Sequence, residues 1–176
     1  MKKLLFLSMM CMMALATIAS FDNNSNSTGS GTPGGGGITP AGYVDLGLPS
    51  GTKWKAANET NPNDENNFYT YNEAMAAFGN KLPTKKQFME LRNSCDWTWT
   101  GMGYKVVGSN GNSIVLPAAG YRSCYGDVYD VGSSGYYLSS TADGSEYWWY
   151  LLFDSGGVLM IDYGQCAGQS VRLVQD

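Results

Sequence analysis

The side chains that could do chemistry in this chain are carboxylates, cysteines and phenols, because it contains no histidine. Without imidazole the polypeptide cannot build a Ser-His-Asp or Cys-His nucleophile, a histidine general base or a histidine-ligated zinc site. Asp143, Glu146, Asp154 and Asp162 could supply an acid and a base for glycoside cleavage, but their spacing sets no two of them at the required separation. Hard oxygen ligands for calcium occur in Asn61-Pro62-Asn63-Asp64-Glu65-Asn66-Asn67 and at Asp127 and Asp130. Neither run has EF-hand spacing, and a solvated loop accounts for both. Gly34 to Gly37 lack the following strand, helix and lysine that cradle phosphate. The expectation is a protein with no catalytic group, no bound metal and no cofactor.

What remains is an excess of rings, with 12 Tyr and 5 Trp in 176 residues. Trp54, Trp97 and Trp99 read as packing residues. Tyr125, Tyr129, Tyr136, Tyr147, Trp149 and Tyr163 fall in Gly-rich loop sequence or on strands near it. Tyr, Ser, Gly and Asn make up recognition surfaces generally, because rings give contact area at low entropic cost and small polar groups adapt around them. Sugar C–H faces stack on such rings, and protein ligands bury them as anchors. In Tyr147-Trp148-Trp149-Tyr150-Leu151 the alternation expected of a strand sends Trp148 and Tyr150 inward and Tyr147 and Trp149 outward. The predicted ligand-binding set is Tyr125, Asp127, Tyr129, Asp130, Tyr147, Trp149, Tyr163 and Gln165, with core packing the competing use of any one ring.

Local signals define the elements that must position these groups. Tyr71, Met75 and Phe78 lie at i, i+4 and i+7 among helix-favouring alanines, with Gly79 placed to end a helix. Thr84-Lys85-Lys86-Gln87 has the pattern of a capping box, after which Phe88, Leu91 and Cys95 form an inward stripe. Tyr104–Val107 and Ser113–Leu116 flank Ser109-Asn110-Gly111-Asn112, predicted as a tight hairpin turn. Tyr147–Phe153 and Val158–Tyr163 form a second strand pair joined through Asp154-Ser155-Gly156-Gly157. Two early helices followed by short strands, without βαβ alternation, predict an α+β fold in one domain over residues 41–176.

The N-terminal residues read as a Sec signal peptide over residues 1–20. Lys2 and Lys3 form the charged region, and Leu4 to Ala16 form an apolar run too short to span a bilayer. Residues 21–40, rich in Ser, Asn and Gly and without a ring after Phe21, read as a flexible linker. Ile18-Ala19-Ser20 resembles a bacterial lipoprotein box with Phe21 where the acylated cysteine would stand, and Cys11 fits such a box poorly. A soluble exported protein in the periplasm, at the cell surface or outside the cell is favoured, with a lipid-anchored form the alternative. The formal net charge of −4 grows more negative once Lys2 and Lys3 are removed. With basic clustering limited to Lys81, Lys85 and Lys86, neither nucleic acid nor an anionic membrane is the expected partner.

Several blocks in order carry a family resemblance: YVDLGLPSGTKW at Tyr43–Trp54, LPTKKQFMELRNSC, WTWT at Trp97–Thr100, LPAAGYRSCYGDVYDVGSSGYYLSS at Leu116–Ser140, and SVRLV at Ser170–Val174. Together they resemble the Fibrobacter succinogenes major paralogous domain, abundant in secreted and surface proteins of gut Bacteroidetes, which is similar to the C-type-lectin-like fold shared with formylglycine-generating enzymes. The resemblance implies two helices packed beside a twisted antiparallel sheet, with long loops at one end. It also implies that the segments holding Cys124 and Cys166 lie close enough for a disulfide, with Cys95 a buried free thiol; three isolated small hydrophobes are the alternative. The copper-binding cysteine pair of the formylglycine-generating relatives is close in sequence, a motif in which neither Cys124 nor Cys166 stands. The Glu-Pro-Asn and Trp-Asn-Asp signatures of calcium-dependent lectins do not occur. The resulting expectation is an exported, non-catalytic binding or adhesion module for a glycan or an envelope or extracellular protein. Two alternatives are a variable receptor of lectin-like fold diversified over Asp154–Gln169, and an oxidase of the formylglycine-generating group.

Overall fold

Both helices begin where a threonine can satisfy free main-chain N–H groups. In the computed structural model, which describes residues 42–176, helix α1 spans Tyr71–Phe78 and helix α2 spans Lys85–Ser94. Thr70 and Thr84 each accept from the third helical residue, while Glu73 and Gln87 reach back to the N-cap N–H. Each box satisfies two donors that would otherwise face solvent or the interior unpaired. Gly79 caps α1, and Gly79–Lys81 adds one 3-10 turn. The expected signal peptide and linker lie outside the described residues.

Eleven strands follow the α+β expectation among the described residues, distributed over four small sheets. β1 (Tyr43–Asp45), β2 (Lys53–Lys55) and β11 (Val174–Gln175) form one, with β2 central. β3 (Asp96–Trp99), β4 (Gly103–Val107) and β5 (Ser113–Pro117) form a meander. β6 (Tyr121–Arg122) and β7 (Val128–Tyr129) make a short ribbon. β8 (Ser134–Asp143), β9 (Tyr147–Asp154) and β10 (Gly157–Gly164) make the longest antiparallel sheet, with β9 in the middle.

The β9–β10 hairpin closes through Ser155 and Gly156, as its sequence predicts. The β4–β5 connection spans Gly108–Asn112 between strands bounded as expected at Val107 and Ser113, and Gly111 N–H donates to the Gly108 carbonyl across the turn, but within it Gly111 alone takes a positive φ, 85°. Its length is explained by what the loop holds, since the amides of Asn110 and Asn112 both donate to the Asp45 carbonyl. Cys95 departs from expectation in part. It is a free thiol packed against the main core, but as the extended C-cap of α2 it lies one residue past the helix and is only half-buried.

The main core gathers Trp54, Phe88, Leu91, Tyr104, Leu116, Tyr137, Leu151 and Phe153 around α2. Burial of each such side chain contributes about 1.5–3 kcal/mol. Trp97 and Trp99 pack edge-on against Tyr104, at 5.5 and 5.3 Å. Gly135 sits directly across from Phe153, and a Cβ there would meet the ring at 2.1 Å. A second cluster, including Tyr69, Ala74, Leu82, Leu138 and Val171, seats α1 on the opposite side of β8. The β8–β9 sheet is therefore covered on both faces, so the inward and outward assignment of 147–151 holds for buried Tyr150 and exposed Tyr147 but not for Trp149, which is half-buried. Leu151 and Phe153, on the Trp149 side, enter the main core, while Tyr150 is buried on the other face and Trp148 is only half-buried against Tyr71.

Within the SVRLV segment Arg172 is 1% exposed. Its Nε donates to Asn58 Oδ1 at 2.8 Å, Nη1 to the Lys55 carbonyl at 2.9 Å and Nη2 to the Val115 carbonyl at 2.6 Å. The planar guanidinium ties three segments distant in sequence, a use of its fixed donor fork that an ammonium cannot reproduce.

Candidate functional site

Period-two alternation places Tyr136 on β8, Tyr150 and Leu152 on β9, and Ile161 and Tyr163 on β10 on one face of the long sheet. The β6–β7 ribbon folds over this face, tied through Gly120, whose N–H donates to the Ser134 carbonyl at 2.9 Å. Ring centroids then run in a continuous series: Tyr129 to Tyr121 at 5.7 Å, Tyr121 to Tyr136 at 4.6 Å, Tyr136 to Tyr150 at 6.0 Å and Tyr150 to Tyr163 at 6.4 Å. These spacings lie within the range favourable for aromatic pairs. Between them opens a hollow of about 160 Å³ with Tyr121, Tyr136 and Tyr163 around a floor of Tyr150, Leu152 and Ile161, and Gln169 at one side.

Apart from the Asp130 carboxylate at the rim, the polar groups of this face are uncharged. Tyr136 Oη donates to Asp130 Oδ2 at 2.6 Å. Burial first, and that hydrogen bond next, hold the Tyr136 phenol well above the usual tyrosine range. Burial likewise raises Tyr150 and Tyr121, with neighbouring tyrosines adding to it. The phenols stay protonated and able to donate at any physiological pH. Gln169 is 3% exposed and its Oε1 has no partner. Beside it, Trp148 Nε1 is likewise buried and unpaired.

The rim is held by covalent and ionic ties. Cys124 and Cys166 form a disulfide with Cα atoms 5.1 Å apart, joining the β6–β7 ribbon to the segment after β10. Arg122 and Gly168 exchange two main-chain hydrogen bonds at 2.8 Å, and Arg122 Nη1 lies 2.9 Å from Asp64 Oδ2. Asp64 Oδ1 accepts from the N–H groups of Asn66 and Phe68, while Asn61 Oδ1 accepts from Asn63 N–H and Asn67 Oδ1 from Asn61 N–H. The oxygens considered for calcium thus organise their own loop. Among the described residues no group of three or more His, Cys, Asp or Glu side chains is placed to hold a metal, and no helix is long and apolar enough to cross a membrane. Asp143 and Glu146 lie at the opposite end of β9 from Asp154, on the order of 20 Å along the strand, too far apart to act together on one glycosidic bond.

Of the predicted set, Tyr129, Asp130 and Tyr163 stand at this face, and Gln165 lines a narrow crevice beside it. Tyr125, 94% exposed, and Asp127 occupy the β6–β7 turn, outside the hollow. Tyr147 is exposed at the start of β9. Trp149 belongs to the other face, where Lys85 Nζ sits 2.9 Å from its ring centroid. Tyr121, Tyr150 and Gln169 escape the sequence reading. Tyr121 lies outside the strands and rings singled out in the sequence, Tyr150 stands in a position read as core, and the depth of Gln169 follows from the Tyr69–Gln169 bridge between segments a hundred residues apart.

No curated protein and no solved structure matches the chain. A family model described as a domain of unknown function, DUF8237, matches residues 85–174, which include every ring of the tyrosine face. That match covers just over half of the 176 residues, and the chain belongs to the DUF8237 family.

Proposed function

We propose that this protein is an exported, non-catalytic binding module of C-type-lectin-like type, related to the Fibrobacter succinogenes major paralogous domain, that holds a carbohydrate against the tyrosine face. The observation that carries this reading is the hollow: phenol rings around an apolar floor, with the Gln169 side-chain oxygen Oε1 buried and unpaired at its side. Rings of this kind offer flat apolar contact to sugar C–H faces, and the protonated phenols hydrogen-bond hydroxyl groups. All seven residues lining the hollow are uncharged and Asp130 stands at its rim, which favours neutral over anionic sugars. The disulfide supports export, since such bonds persist in oxidising compartments.

A glycan array with and without a calcium chelator tests the reading. Binding is expected to be independent of calcium, lost in Tyr136→Ala and Tyr163→Ala, and retained in Tyr125→Ala and Trp149→Ala. A blank array would refute it and direct the search to envelope or extracellular proteins. A second reading, a receptor diversified over Asp154–Gln169, draws support from Ile161, Tyr163 and Gln169, three of the seven lining residues. Uniform sequence over that stretch in sibling genes would end it.

A further inference from the structure

Below the hollow lies a crevice of about 10 Å³, and the two share Tyr150, Tyr163 and Gln169 as walls. That volume admits one water-sized group. Its lining includes Trp148 and Gln169, the residues whose Nε1 and Oε1 atoms are buried without partners. A buried unpaired donor or acceptor costs about 1–3 kcal/mol, and native interiors rarely leave two on residues that line one crevice unless something else completes them.

The group that completes this pair is small and both donates and accepts. Trp148 Nε1–H can only donate and Gln169 Oε1 can only accept, so a hydroxyl between them satisfies both at once. It also satisfies either orientation of the Gln169 amide. A carboxylate would be left facing the Gln169 carbonyl without a proton, and a methyl group would leave both atoms unpaired.

We infer that the crevice is a hydroxyl subsite that takes the free hydroxymethyl group of a neutral hexose whose ring lies in the hollow above. This rests on the carbohydrate reading and narrows it to one class of sugar. An exocyclic carbon carries its hydroxyl one bond beyond the ring, which lets the oxygen reach the crevice while the ring stays among Tyr121, Tyr136 and Tyr163.

The test is titration of the protein with methyl glucopyranoside, galactopyranoside and mannopyranoside against methyl xylopyranoside, which has the same ring without the hydroxymethyl group. Binding is followed by the indole N–H resonance of Trp148, assigned by its loss in Trp148→Phe. At least one hexoside is expected to shift that resonance and to bind about 10-fold more tightly than the xyloside, a difference appropriate to one pair of hydrogen bonds. Gln169→Met, similar in shape but unable to accept strongly, is expected to abolish the difference in affinity between hexoside and xyloside. Equal binding of hexosides and xyloside overturns the subsite but leaves a sugar-binding face. Absence of binding by any of the sugars overturns both. If Gln169→Met does not fold, the comparison of hexoside with xyloside on the unaltered protein decides alone.

Discussion

Tyr136 and Asp130 are joined across the rim of the hollow by a hydrogen bond of 2.6 Å, and Asp130 holds its place at a φ of 62°. The Asp130 carbonyl accepts from the N–H groups of Ser133 and Ser134, so the turn that presents its carboxylate is itself fixed. The carboxylate both accepts the phenol proton and repels a phenolate. Asp130→Asn keeps an acceptor and removes the charge. Ultraviolet titration is expected to show Tyr136 ionising at lower pH than in the parent protein, yet above an ordinary tyrosine because burial is the larger cause. Stability should change by less than about 1 kcal/mol, since the Asp130 carboxylate is exposed. An unchanged Tyr136 titration would refute the coupling.

Arg172→Met leaves the Lys55 and Val115 carbonyls and Asn58 Oδ1 without their donor. The expected loss is about 3–5 kcal/mol, the usual consequence of removing one member of a buried charged network. Arg172→Lys should recover little, because one ammonium cannot reach three acceptors along a planar fork. Urea denaturation of the two variants measures this, and full rescue by lysine would contradict it.

Gly135→Ala places a methyl carbon 2.1 Å from Phe153 Cζ. Overpacking of this kind is expected to cost about 1–3 kcal/mol. Phe153→Leu opens a cavity on its own but should relieve the clash, so the double variant is expected to be more stable than the sum of the single losses predicts. Simple additivity would show that the two residues do not oppose each other.

Replacing Cys124 and Cys166 by serine opens a loop whose closing residues are 42 apart in sequence. Chain-entropy reasoning puts the loss near 4 kcal/mol, and strain relief or residual structure commonly reduces it to about 2–4 kcal/mol. Ligand affinity is expected to fall as well, because the ribbon carrying Tyr121 and Tyr129 loses its tether to the segment after β10. A variant with unchanged denaturation midpoint would show that the hydrogen bonds between Arg122 and Gly168 suffice.

Alkaline pH should weaken the fold. Burial pushes the Tyr137 phenol up to about 12, against an opposing effect of Arg172, and burial, with Asp96 and Glu90, pushes the Cys95 thiol up to about 11. Each group keeps its proton to higher pH when folded than when unfolded. Stability is therefore full below the unfolded values of 9.0 for cysteine and 10.0 for tyrosine, and falls as pH rises above them toward the folded values. Tyr137 contributes up to about 1.4 kcal/mol per pH unit across its window, and half-buried Cys95 less because water screens it. Denaturation midpoints between about pH 8 and about pH 11 test the sign, and Tyr137→Phe should flatten the decline. A midpoint that rises with pH would contradict it.

What the sequence made legible is what is encoded locally. The Thr84 box, the end of α1 at Gly79 and the two-residue turn of the β9–β10 hairpin all depend on neighbours within a few positions. The ten-residue β8 strand and the face it shares with β10 depend instead on pairing between Gly135 and Phe153 and between Tyr150 and Ile161. Alternation gives each strand two sides but does not say that both are covered, which is why Trp149 read as outward and Tyr150 as ordinary core. Cys124 and Cys166 could be paired only through the family resemblance, since nothing in their spacing sets the distance. Tyr129, Asp130 and Tyr163 were found by residue type, whereas Tyr121 and Gln169 acquire meaning only once the β6–β7 ribbon lies over the sheet.

β11 pairs with β2 through Val174 opposite Trp54, and Arg172 reaches back to Lys55 and Asn58. The sheet that opens the described chain therefore lacks a strand, and the main core lacks Val174, until the segment carrying Val174 has been synthesised. A growing chain of this topology stays open on the ribosome and closes late, with a long-range contact that slows folding.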